Sequence, residues 1–77
     1  MRGGNIPSDI DSINENIVYG YAEGIRPTSA PSGVSQYAIL LCFVNDGFYN
    51  RFQIWFDLTG SIYARTHHSV WDPWMTY

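Results

Sequence analysis

Eight consecutive apolar residues, Tyr37-Ala38-Ile39-Leu40-Leu41-Cys42-Phe43-Val44, lie in the middle of a chain of only 77. A run of that length is strand-sized, and a strand that is apolar at every position needs cover on both faces. So short a chain makes one domain at most, and it buries a smaller share of its surface than a larger one does. A single thin sheet does not supply both covers. Chains of this size usually make up the difference with disulfides, a metal or oligomerisation.

Two of those three routes close quickly. Cys42 is the one cysteine, so no disulfide forms within the chain. One Cys and the adjacent pair His67 and His68 do not make the four-ligand cage of a structural zinc site. Oligomerisation remains. His67 and His68 point in opposite directions if extended, so only in a trimer does one of them per chain offer a shared metal site. Otherwise no metal or cofactor is expected. Cys42, among apolar neighbours, reads as an inert core or interface residue. A free thiol and no signal-peptide pattern lead to the expectation of folding in a reducing cytoplasm.

Charge narrows the partners. Four Arg, no Lys and seven acids give a net charge of -3, which leaves no general basic surface for nucleic acid or anionic lipid. No window approaches the ~20 apolar residues of a membrane span. Aromatic residues make up 17% of the chain against 14% charged, more rings than a small core hides. Some of them are expected to meet a partner.

Along the chain, residues 1–8 read as a disordered lead-in or linker and residues 9–77 as one β domain. Ile17 to Glu23 reads as a Tyr/Gly strand, and Gly24 to Gly33 as a Pro-rich exposed loop. After the apolar strand, Asn45-Asp46-Gly47 makes a tight connection to a cleanly alternating run. Phe48, Phe52, Ile54, Phe56 and Leu58 form one face of that run, taken as core. Tyr49, Arg51, Gln53, Trp55 and Asp57 form the other, taken as a polar face with two outward rings. A turn at Leu58-Thr59-Gly60-Ser61 leads to the strand Ile62 to Thr66. Trp71 to Tyr77 closes the chain, and Pro73 puts that piece at an edge or a bend. The fold class is all-β: a small antiparallel meander or sandwich, intertwined or packed as a trimer.

Catalysis is not expected. Asp9, Asp11, Asp46, Asp57 and Asp72 are scattered over turns and strand ends, where Asp serves the backbone, and no nucleophile elbow accompanies His67. Arg51 and Arg65 are expected to pair with an acid or stack on Trp or Tyr, and Trp71 and Trp74 to clamp the sheet. Exposed aromatics flanked by polar groups suit stacking on a sugar. That makes Tyr49, Trp55, Arg51, Asn45 and Asp46 the candidate receptor-binding set, and Tyr63, Arg65, Trp71 and Trp74 the candidate fold- or trimer-packing set.

The order of features is a familiar one. Asp9-Ile10-Asp11-Ser12-Ile13-Asn14 leads into a Tyr/Gly strand, a Pro-rich loop and an apolar strand. A strand with Arg51 and Gln53 follows, then Gly60-Ser61-Ile62-Tyr63-Ala64-Arg65 and Trp71-Asp72-Pro73-Trp74. This resembles the knob-type modules near the C-termini of phage tail fibres and R-type pyocin fibres, with their "Tyr-x-Arg … Trp-x-x-Trp" pattern, over roughly residues 9 to 76. His67-His68 stands where a Gly/Asn turn is more usual, and the strand from Ala38 to Val44 is more apolar than the pattern. The resemblance implies a homotrimer within a virion tail fibre or pyocin-like particle, folded in the bacterial cytoplasm. It also implies attachment to a cell-surface glycan or protein receptor, without catalysis. Two other readings stand beside it: a monomeric carbohydrate-binding β-sandwich, and a separately made trimeric folding chaperone for a tail fibre.

Overall fold

The structure is a computed structural model, and it describes residues 4–20, 27–35, 37–45 and 50–77. Five strands form one antiparallel sheet in chain order: β1 (Ile17–Tyr19), β2 (Ala38–Asn45), β3 (Asn50–Asp57), β4 (Ile62–His67) and β5 (Met75–Thr76). The meander expected from the sequence is there, as a single sheet. β2 and β3 pair along their whole length, from Ala38 opposite Asp57 to Asn45 opposite Asn50. β5 lies at the edge beyond Pro73, as a residue without a ladder N–H requires.

The turn between β3 and β4 is built by Asp57. Its Oδ2 accepts from the Thr59 N–H and hydroxyl at 3.3 and 2.6 Å. Its Oδ1 accepts from the Trp55 indole at 3.1 Å and the Ser35 N–H at 2.9 Å. Gly60 completes the turn at φ +95°, a conformation that costs a residue without a Cβ little. One carboxylate thus joins the turn, the central Trp and the end of the preceding loop.

Strand alternation gives the sheet two faces of different character. Ala38, Leu40, Cys42, Gln53, Trp55, Asp57 and Arg65 are buried on one face. They are covered by Ile6, Ile10, Ile13 and Val34 from segments outside the sheet, with Ala30, Ile17, Tyr19, Tyr63 and Trp74 packed around them. The opposite face carries Ile39, Phe43, Phe52, Phe56 and Ile62, and these are exposed.

This reverses the expectation for β3. Its alternation is as read, but Phe52, Phe56 and the Leu58 that follows it face solvent, while Trp55 and Gln53 are 0% and 1% exposed. The reason is the segment of residues 5–14, here called the strap. It lies across the sheet without a strand ladder, so its carbonyls need side-chain donors. β3 supplies them: Gln53 Nε2 donates to the Ile10 carbonyl at 2.6 Å, and Arg51 to the Asp11 and Ile13 carbonyls at 2.8 and 3.3 Å. Polar residues point inward because the cover is bare backbone. Ile6 is part of the core, so the packed portion of the chain reaches into the lead-in assigned to residues 1–8.

Candidate functional site

On the covered face the polar residues form a clasp over the strap. The Arg65 side chain is 5% exposed, and its guanidinium lies 4.0 Å from the Trp71 ring centroid and 4.6 Å from that of Trp74. Its Nε and one Nη donate to Gln53 Oε1 at 2.9 and 2.7 Å, and that Nη also reaches Asp11 Oδ1 at 2.8 Å. The two indoles donate onward, Trp71 to the Asp11 carbonyl at 3.1 Å and Trp74 to the Ser29 carbonyl at 2.7 Å. The expected clamp of Trp71 and Trp74 is present, with Arg65 between the rings. Both tryptophans are half-buried and Tyr63 packs on the core beside them.

Arg51 belongs to the same clasp. Its guanidinium lies 5.2 Å from the Trp71 ring and meets His67 Nε2 at 3.0 Å. A guanidinium only donates, so Nε2 is the acceptor and the ring proton sits on Nδ1, which is buried with no hydrogen-bond partner among the described residues. His68 lies on the exposed loop, 3.2 Å from Asp72. Among the described residues no three His, Cys, Asp or Glu side chains converge on a metal position.

Two carboxylates hold the fold through their charge. Burial acts to raise the pKa of Asp11, but hydrogen bonds from Ser29 and Arg65 and the charges of Arg65 and Arg51 bring it below its ordinary 3.8. Burial acts on Asp57 in the same sense, and bonds from Thr59, Trp55 and Ser35 outweigh it. A carboxyl whose pKa is depressed in the folded state contributes stability above its unfolded pKa and loses it as pH falls through the folded value. The contribution of these two carboxylates to the denaturant midpoint is therefore expected to be lost as pH falls below the ordinary Asp range of about 3.9. Asp57→Asn should reduce that loss while lowering stability at neutral pH. An acid limb of equal depth in the variant would show that Asp57 has no part in it.

Among the described residues, Trp55, Arg51 and Asn45 of the candidate receptor set do not form one exposed surface. Trp55 is interior rather than outward, and the Arg51 guanidinium is occupied by the strap and His67. Asn45 is exposed at the end of β2, and Tyr49 and Asp46 lie outside the described residues. The loop assigned to Gly24–Gly33 is described only from residue 27, where Pro27 and Pro31 are buried. Comparison with protein-family models, with curated proteins and with solved structures finds no match to this chain. The tail-fibre likeness therefore rests on the quoted residues alone.

The feature that sequence reasoning placed on the wrong side is the open face. In register its apolar part consists of three cross-strand rows, with the polar pair Asn45 and Asn50 beyond them. The central one runs over all five strands as Val18, Leu41, Ile54, Ala64 and Met75. On one side lie Phe43, Phe52 and Thr66, and on the other Ile39, Phe56 and Ile62. Every position of the three rows but Thr66 is apolar and none is charged. Burial pushes the Cys42 thiol, on the covered face, up to about 11, with a bond from Gln53 and the Arg65 charge opposing. That places Cys42 in the core, one of the two positions expected of it.

Proposed function

We propose that this chain is a non-enzymatic assembly module, a homotrimer in which the open face of each sheet is buried against neighbouring copies. The carrying observation is the three-row apolar face. Taking strands roughly 4.8 Å apart and rows about 7 Å apart, its eleven positions cover on the order of 370 Å². That lies within the size of the largest patch on a typical monomer, where such patches are often functional. Burying it yields roughly 9 kcal/mol gross, which does not clear the ~4–15 kcal/mol cost of association by a wide margin. A contact of the standard size, about 800 Å² per partner, has to take in flanking residues such as Tyr37, Leu58 and Tyr77.

Identical copies suit this face because it brings no like charges together. Strand addition at the sheet edges suits association less: β1 has three residues and β5 two, and short edges resist growth by pairing. Catalysis finds no support in the carboxylates, since Asp11, Asp57 and Asp72 already accept structural hydrogen bonds. The setting, from the resemblance of residues 9 to 76, is the end of a phage-type tail fibre, where trimerisation and attachment to a bacterial surface receptor belong together. His67 shares its strand face with Arg65, so a trimer built on the open face does not bring it to the threefold axis.

Light scattering at micromolar concentration is expected to give three times the chain mass of 8.8 kDa. Phe52→Asp, on the open face, should lower the mass to that of one chain and keep the circular dichroism of the parent. A parental protein that is monomeric in this range, with an unchanged Phe52→Asp variant, overturns the reading and favours a monomeric binding module.

A further inference from the structure

The open face is not uniform from one edge to the other. Near β1 it ends in a groove of about 430 Å³ lined by Gly20, Tyr37, Ile39, Phe56 and Leu58. Leu58 is 72% exposed there. At the opposite edge β5 presents Met75 and the chain continues to Tyr77, 58% and 76% exposed. The Tyr77 N–H donates to the Ile62 carbonyl at 2.7 Å, which sets it at the far end of the row Ile39, Phe56, Ile62. Groove and Tyr77 thus occupy the two ends of one row, roughly three strand spacings or about 14 Å apart. No chain fills its own groove with its own Tyr77.

We infer that the copies join head to tail, with the Met75–Tyr77 edge of one chain seated in the Tyr37, Ile39, Phe56 and Leu58 groove of the next. The inference rests on the self-association reading and gives that contact its partners. A ring of three requires two different surfaces on each chain, one giving and one receiving, whereas a twofold contact matches a patch with itself. This face carries both surfaces, in equal number, at its opposite edges. The central rows alone fall short of a standard interface, and the groove and the β5 edge are the apolar area adjoining them. A second copy is the occupant that brings to the groove the exposed side chains of Met75 and Tyr77 at matching row spacing.

Cysteine pairing tests this, because a small apolar thiol replaces Leu58 or Met75 with little change of character, and Cys42 is buried and slow to react. The mass of each reduced variant is read first, then a short bismaleimide is added. The Leu58→Cys/Met75→Cys double variant is expected to give a closed covalent trimer on a denaturing gel, and each single variant to stay as single chains. Cross-linked dimers from a single variant mean that identical edges meet, and overturn the head-to-tail joint. A reduced double variant of trimer mass that yields no covalent trimer overturns it as well, while leaving self-association intact. If the parent is a monomer, the assembly reading itself fails, and the joint with it.

Discussion

Trp55→Ala is expected to lower stability by about 3–5 kcal/mol, the cost of deleting a large buried aromatic and leaving a cavity. Trp55 is 0% exposed, faces Leu40 on β2 and Tyr63 on β4 across the ladder, and closes the core under Ile10. A second loss adds to the first. The indole N–H is one of four donors to Asp57, so alanine also weakens the carboxylate that organises the β3–β4 turn. Small domains hold only about 0.05–0.15 kcal/mol per residue, so a loss of this size leaves much of the population unfolded. Trp55→Phe separates the two contributions: it keeps most of the packing and gives up one hydrogen bond, worth about 1 kcal/mol. Urea midpoints at matched protein concentration are the measurement, because association stabilises the folded state by mass action. Were Trp55 an outward ligand-stacking ring, Trp55→Ala would melt with the parent.

That contrast shows how far the sequence could be read. The strand set was legible, because an apolar run, an Asx/Gly connection, an alternating run and a Gly60 turn leave one simple topology. What failed was the assignment of inside and outside on β3. Alternation defines two faces but not which one is covered, and the usual rule puts Phe52, Ile54 and Phe56 inward and Arg51, Gln53 and Asp57 outward. The rule was overridden by a cover that is irregular backbone. Ile6, Ile10 and Ile13 signalled it, being three apolar residues in and just after the stretch read as a disordered lead-in or linker. Their partners lie some forty residues on, where no local pattern reaches. Trp55 and Arg51 leave the receptor set for the same reason, since they were chosen as outward residues. Arg65, Trp71 and Trp74 do lie together as a stack, a pairing that needs no knowledge of which face is covered.

The second large effect is expected at Arg65. Arg65→Met should cost about 3 kcal/mol, less than the full loss on breaking a buried ion pair. Asp11, its acidic partner, is 47% exposed and can be rehydrated, so little buried charge is stranded there. The larger part falls on Gln53, whose Oε1 receives two bonds from Arg65 and sits in a residue 1% exposed. A buried acceptor left without a donor costs about 1–3 kcal/mol, and the gap between Trp71 and Trp74 adds to it. A double-mutant cycle isolates the polar share. Gln53→Met alone should also be costly, because it removes the bond to the Ile10 carbonyl and orphans the Arg65 donors. The two together should cost less than their sum by about 1–3 kcal/mol, since the second change removes a group the first had orphaned. Arg65→Lys keeps the charge but not the planar fork, and so should fall between parent and Arg65→Met. A cycle that sums to within about 0.3 kcal/mol would mean that Arg65 and Gln53 hold the strap independently, and that the clasp is packing of two tryptophans rather than a connected polar network.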